Sequence, residues 1–462
     1  MLRRLLPTAM LAAAVIGGTT PAWAVTDEEL LQIIEQQNRQ IEELNRRLEE
    51  VEKSGEATEM KAEEAVEKAT QAQESTSDAT FKWGPAPTIM SKDGNWSFKV
   101  RGRLFVDGGA LGDDDDFYKD DNATELRAAR LGVEGKVYKD FEYKFETDFA
   151  NDEATVKDAY VEWDAEDFPV YLRVGQFKTP NSLEEQTSSR FITFMERAAI
   201  TDAFDLNRRI GLGVGGDVAG FGYDLGIFGQ EVGDAQNNEG YALAGRGYYD
   251  WFYGDDEDKS KLLHFGASAR YRNFDNDVDD SEVRYRQRPF FHFTGTRSVD
   301  TGTIADADSD TFVGGEFAWV SGPFSLQGEA ANTWTQLDGN SDLDNLWGGY
   351  VGASYFLTGE HRNYSASSGT FKRVKVLRPV QDGGHGAWEI GARLDYIDLN
   401  NKSAKGGEQY STIAGVTWYL NDYIRMMLNG AVTKVEDAGP NSAADGSNNT
   451  IWGVGGRVQV DW

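Results

Sequence analysis

The 462-residue chain carries 46 Lys+Arg against 77 Asp+Glu, a formal net charge of −31, with 51 Gly, 10 Pro, no Cys and 12% aromatic residues. The charge excludes a binder of the nucleic-acid backbone. The missing thiols exclude a disulfide framework, a thiolate metal site and a cysteine nucleophile, and a mean hydropathy of −0.54 excludes a bundle of membrane-spanning helices.

The first element is a leader. Arg3 and Arg4, an apolar stretch from Ala9 to Gly18 and Ala22-Trp23-Ala24 form a secretory signal peptide over residues 1–24. The mature chain then stands at −33, and export without cysteine suits a Gram-negative envelope.

Residues 25–80 form an α-helical coiled-coil segment. Leu30, Ile34, Gln37, Ile41, Leu44, Leu48 and Val51, followed after Gly55 and Thr58 by Ala62, Ala65, Ala69 and Ala72, hold one heptad frame. Apolar residues alternately three and four apart make a seam that needs another helix against it. Residues 81–94 read as a linker.

From residue 95 the period falls to two. Phe141–Phe149 alternates aromatic and charged residues almost perfectly, and Asn95–Asp107, Val156–Asp164, Leu262–Arg272, Trp388–Leu399 and Ile451–Trp462 do the same. The apolar positions are Gly, Ala, Val and Leu with Trp or Tyr near strand ends, the pattern of a lipid-facing band between aromatic girdles. Tight turns at Lys139-Asp140, Ser321–Pro323 and Asn421-Asp422 set strand parity. Parity removes Val283–Gly295 from the wall and leaves 16 strands. The fold class is therefore all-β, a 16-stranded antiparallel transmembrane β-barrel over 95–462, preceded by the coiled coil. Barrels of this size leave an aqueous channel.

Two long segments, 179–207 and 274–309, are expected to fold inward and set the constriction. Arg284, Arg286 and Arg288 alternate along the second, so three guanidinium groups share one side of an extended chain, as stepwise passage of anions requires. A third basic segment, Arg362–Gln381, is too long for a periplasmic turn and is expected to fold back into the mouth. Thr187-Ser188-Ser189 offers hydroxyls, and Arg190, Arg197, Arg208 and Arg209 lie nearby. His264, His292, His361 and His385 match no catalytic or metal spacing, so neither an enzyme, a cofactor nor a metal is expected. The acidic runs Asp113–Asp116 and Asp338–Asp344 read as solvated loops; the second lacks the Gly and Glu of a calcium loop at Leu343 and Gly349.

The run Val174–Arg190, continuing through Phe194–Arg197 to Arg208–Gly211, resembles the phosphate-selective porin O/P family. Arg130–Gly135, Arg288-Pro289 with Val299–Gly302, and Tyr355–Glu360 extend the resemblance over the barrel. It implies a trimeric, 16-stranded anion channel of the outer membrane. By resemblance Arg284, Arg286 and Arg288 match an arginine ladder, Ser188 and Ser189 a serine pair at the constriction, Arg197 an arginine beside it, and Arg127 one of a strand-two arginine pair, with Arg130 in the same strand. Ala128 and Glu185 stand where phosphate-specific members carry Arg and Lys. The expected partners are a homotrimer, outer-membrane lipid and lipopolysaccharide, and small anions such as phosphate, with the coiled coil in the periplasm. The alternative function is a structural barrel whose coiled coil tethers the membrane to peptidoglycan.

Overall fold

The computed structural model describes residues 27–76, 79–114, 121–165, 168–234, 240–253, 260–274, 283–338, 344–402, 404–442 and 448–462. The signal-peptide assignment at 1–24 falls outside them, as do parts of both acidic runs.

The N-terminal unit is one α-helix, Asp27–Thr76. Its solvated face is laced by (i, i+4) pairs such as Glu43–Arg47 at 3.0 Å and Glu64–Lys68 at 2.8 Å. Ile34, Ile41, Leu44, Leu48 and Val51, the seam residues of its first half, are all exposed in the single chain. No helix among the described residues is long and apolar enough to cross a membrane.

The second unit begins at Ala79. The linker expected over 81–94 is instead largely built into the sheet: Ala79–Lys82 pairs with Thr88–Ser91, which pairs with residues 97–99 of the first wall strand. Thr80 donates its hydroxyl to the Met90 carbonyl, so backbone groups that a free connection would leave to water are satisfied by pairing.

Sixteen strands then run in simple antiparallel succession: β1 (Ser97–Asp113), β2 (Asp121–Val137), β3 (Phe141–Asp148), β4 (Thr155–Trp163), β5 (Tyr171–Lys178), β6 (Arg208–Val218), β7 (Phe221–Phe228), β8 (Tyr241–Tyr253), β9 (Lys261–Asn273), β10 (Ala307–Ser321), β11 (Phe324–Leu337), β12 (Asp344–Phe356), β13 (Ala387–Asn400), β14 (Lys405–Asn421), β15 (Ile424–Glu436) and β16 (Asn449–Asp461). Strand β16 pairs back with β1, Ile451 opposite Asp113 and Asp461 opposite Arg103, so the sixteen-stranded wall closes on itself. The period-two pattern sorts the two faces. In β15, Met426, Leu428 and Val432 are exposed outward while Arg425, Asn429 and Thr433 are buried inside. Trp251, Trp319, Trp347, Trp388, Trp418 and Trp452 each lie within four residues of a strand end, where amphipathic rings sit in a membrane protein.

Three long connections enter the barrel. Residues 179–207 join β5 to β6, residues 357–386 join β12 to β13, and the connection from β9 to β10 enters through residues 283–306. Val283–Gly295 is outside the wall; Arg286–Gln287 pairs with Val299–Asp300, and Val283 bridges Ile304.

Candidate functional site

The segment 179–207 starts at Ser182, whose hydroxyl accepts from the Glu185 N–H at 3.1 Å to cap the short helix α1, Leu183–Gln186. A second short helix, α2 (Ala199–Phe204), ends it. Between them the backbone is clamped by wall side chains. Arg393 of β13 donates to the carbonyls of Glu196 and Arg197 at 3.0 and 3.1 Å, Arg425 of β15 to that of Ile192 at 2.9 Å, and Arg457 of β16 to that of Met195 at 2.5 Å. Asn429 accepts from the Met195 N–H at 2.8 Å. These inward residues supply the backbone partners that an interior loop would otherwise lack.

Residues 283–306 pack by apolar contact on the same half of the lumen. Phe290, Phe291 and Phe293 are buried, and the last two stack with centroids 5.1 Å apart. They lie over Gly109, Gly453 and Gly455 of β1 and β16, where any Cβ would strike their rings. Phe204 meets Tyr285 edge-on at 5.8 Å, joining the two inward segments. The third segment is tied to the opposite wall: the Tyr364 hydroxyl lies 2.7 Å from His264 Nδ1, and Arg246 donates to the Gly369 carbonyl at 2.8 Å while paired with Glu316.

With one half of the lumen filled, a cavity of about 880 Å³ remains against β1–β7, bounded also by residues 185–208, 287–292 and 367–372. Its lining carries thirteen Arg or Lys against nine Asp or Glu, the opposite sign to the chain as a whole. Most of these cations are paired. Arg101, Arg103 and Arg130 surround Glu146, Lys144 and Arg208 share Asp158 at 2.5 and 2.7 Å, and Arg173 holds Glu162 at 2.5 Å. Among the described residues Lys157, Arg288 and Lys372 line the cavity without an ion pair, and Arg190 reaches Asp461 only at 3.6 Å. Burial lowers the Lys372 ammonium to about 8, assisted by the like charges of Arg190 and Lys144.

The expected site residues divide. Ser188, Ser189, Arg127, Arg130, Arg197 and Arg288 all line this cavity. The Ser189 hydroxyl accepts from Arg103 at 2.9 Å and that of Ser188 from Arg190 Nε at 3.2 Å. Arg127 makes a two-pronged pair with Glu196, both bonds 2.9 Å, and Arg130 pairs with Asp148 at 2.7 Å. Arg197 pairs with Glu185 at 3.0 Å and also donates to the carbonyls of Glu184, Glu185 and Thr187. Its charge is spent on holding the segment together. Arg284, Arg286 and Arg288 do share the exposed side of their segment, with Val283, Tyr285 and Gln287 buried on the other. Yet Arg284 and Arg286 do not line the main cavity, because Arg284 is drawn into a two-pronged pair with Asp300 at 2.7 and 2.6 Å.

Sequence reasoning missed Arg103, Lys144 and Lys157 on the wall and the clamp Arg393, Arg425 and Arg457. The available signal was their position on the charged face of period-two strands. No group of His, Cys, Asp or Glu among the described residues is arranged to hold a metal ion.

Comparison with known proteins agrees with this geometry. The family described as "Phosphate-selective porin O and P" matches residues 98–462. Porin O of Pseudomonas aeruginosa is 26% identical over 402 residues, covering 80% of this chain and 90% of that protein. Among solved structures, the anion-selective porin from Comamonas acidovorans superposes with a TM-score of 0.50 at 14% identity, over 79% of this chain and 100% of its own. The trimer form of OmpT, an outer membrane protein of Vibrio cholerae, does so with 0.51 at 12% identity, over 79% and 99%.

Proposed function

We propose, for a chain that belongs to the phosphate-selective porin O and P family, a function as an outer-membrane porin, a passive anion channel rather than an enzyme. The observation that carries the reading is the sign reversal inside the barrel: a chain of net charge −31 presents an interior cavity with more cations than anions on its walls. Fixed interior cations raise the local anion concentration and exclude cations. Weak, separated sites let an anion leave as readily as it enters.

Within that function, Lys157, Arg288 and Lys372 carry the selectivity, because among the described residues none of the three is held in an ion pair. Ser188 and Ser189 present hydroxyl groups beside Arg190 and Arg103 and form the narrow, hydrogen-bonding part of the path. Arg127, Arg130 and Arg197 shape it through their acid partners. Glu185 and Glu196 dilute the positive field at the narrow part, which favours general anion passage over tight retention of phosphate.

The working form is a homotrimer, as in the trimer form of the Vibrio cholerae structure, and the helix Asp27–Thr76 bundles with its copies in the periplasm through the exposed seam. The tether to peptidoglycan is the less favoured role, since the interior cavity serves no purpose in an anchor. Reversal potentials of the reconstituted channel in a salt gradient test the reading: anion preference is expected, and cation preference would overturn it.

A further inference from the structure

The hairpin that precedes the wall has two faces of different chemistry. Ala79–Lys82 pairs with Thr88–Ser91, and residues 88–90 pair with residues 97–99 of β1. Residues opposite one another across antiparallel strands point to the same side, so Phe81, Ile89 and Phe98 form one apolar row. Thr80, Lys82, Thr88 and Met90 lie on the other side with Lys99, whose ammonium reaches Glu134 at 2.7 Å. Phe98 shares the parity of Leu104, an exposed outward residue of β1. The row therefore continues the surface that the wall turns to lipid.

The patch extends past the row. Trp83 is 83% exposed and lies 5.5 Å from the ring of Phe81; Trp96 and Tyr138, also exposed, meet with ring centroids 4.7 Å apart. Tyr138 belongs to the tight turn between β2 and β3, and the Lys139 N–H of that turn donates to the Asn95 carbonyl at 3.0 Å. Asp93 closes the turn from the hairpin into β1, accepting from Ser91 Oγ at 2.5 Å and from the Asn95 N–H at 3.0 Å. The hairpin is thus fixed at the end of the barrel that carries the short turns, the periplasmic end in bacterial barrels.

A contiguous exposed apolar patch marks a contact surface. Lipid is the partner its position supplies, because no break separates the patch from the lipid-facing wall, and Trp and Tyr are the side chains that settle at headgroup level. The backbone limits the depth. Among the described residues Ala79–Lys82 pairs only with Thr88–Ser91, so its outer edge keeps N–H and C=O groups that hydrocarbon cannot satisfy. Headgroups and their water can.

We propose that the hairpin Ala79–Ser91 is a membrane-surface anchor that lays Phe81, Trp83 and Ile89 into the headgroup boundary of the periplasmic leaflet, with Thr80, Lys82 and Thr88 turned away from lipid. The anchor depends on the lipid-facing wall and not on the sign of the ions that the channel passes.

The chain contains no cysteine, so one introduced thiol takes the only nitroxide label. Full-length protein carrying Phe81→Cys, Ile89→Cys, Thr80→Cys or Lys82→Cys is reconstituted into vesicles of phosphatidylethanolamine and phosphatidylglycerol. Electron paramagnetic resonance then measures collision of the label with oxygen and with a water-soluble nickel chelate. Leu394→Cys, on the outward face of β13, supplies the lipid value, and Glu49→Cys, on the exposed N-terminal helix, the water value. Labels at Phe81 and Ile89 should give an oxygen-to-nickel ratio roughly threefold or more above labels at Thr80 and Lys82, as expected for one face in lipid and one in water. Heat-modifiable gel mobility verifies the closed barrel in each variant. A ratio at Phe81 and Ile89 no higher than at Thr80 and Lys82 overturns the anchor. So does shielding of Phe81 and Ile89 from both reagents with spin–spin broadening that vanishes on dilution by unlabelled chains, the mark of a second copy over the patch. A water-like label at Leu394 overturns the lipid-facing wall and the anchor with it.

Discussion

Arg197 and Glu185 form an ion pair 3.0 Å long inside the segment that narrows the barrel. The same carboxylate lies 2.9 Å from the Lys178 ammonium. Burial works against its charge, but Arg197 and Lys178 together hold its carboxyl below the ordinary range. One anion therefore cancels much of the field of two cations.

Glu185→Gln should release that field. The expected result is tighter block of chloride current by phosphate, by roughly tenfold, which corresponds to about 1.4 kcal/mol. Concentration–block curves for the two proteins check it, and an unchanged or weaker block would show that Arg197 and Lys178 are not on the path.

The unpaired cations should matter more than the paired ones. Neutralising Lys157, Arg288 and Lys372 together is expected to abolish most of the anion preference, read as a loss of several-fold in the anion-to-cation permeability ratio. Arg284→Gln alone, which breaks a pair with Asp300 outside the main cavity, should change that ratio by less than half. The reverse order would return the selectivity to the alternating arginines.

Selectivity should also depend on pH through Lys372. Its ammonium titrates near 8, so the charge is present below that value and lost above it. Anion preference should fall between pH 7 and pH 9 as the Asp205 carboxyl, raised by burial to about 7, gains its charge and Lys372 loses its own, and Lys372→Met should remove the upper part of that fall while lowering the preference at pH 7. A flat profile over this range would exclude Lys372 as a contributor.

The barrel seam gives a prediction about assembly. The Trp462 N–H donates to the Gly102 carbonyl at 3.0 Å, the Gly102 N–H returns the bond at 3.2 Å, and a Cβ on Gly102 would fall within the indole ring. Deleting Trp462, or replacing Gly102 with Val, should lower the outer-membrane yield of folded barrel several-fold, measured by heat-modifiable mobility. Gly84→Val, where a Cβ meets nothing, serves as the control.

Deleting Asp27–Asp78 should leave single-channel conductance unchanged, since that segment and the barrel are separate compact units. If the helices associate through their exposed seams, the truncated form should dissociate to monomers at lower temperature, followed by native gel electrophoresis. Equal melting of the oligomer would remove the coiled coil from assembly.

Much of the architecture was legible because barrel wall and helix are written in short periods. Phe141–Phe149 declares its two faces by alternation alone, and the tight turn at Ser321–Pro323 fixes the direction of β10 and hence the strand count. The inward segments were legible as well, from their length and from the interruption of alternation between Lys178 and Arg208. The linker was misjudged because Ala79–Lys82 and Thr88–Ser91 are four-residue strands, too short to display a period.

The sequence by itself determined which residues face lipid and which face the lumen, the number of strands and the location of the surplus cations along the chain. Only the tertiary structure decided which of those cations keep their charge available. Arg284 and Arg197 carry the same guanidinium as Arg288, yet Asp300 and Glu185 pair with the first two and, among the described residues, no acid pairs with the third. Pairing depends on distances between segments remote in the chain, and the Coulomb interaction that cancels a charge falls with exactly those distances, which no local pattern encodes.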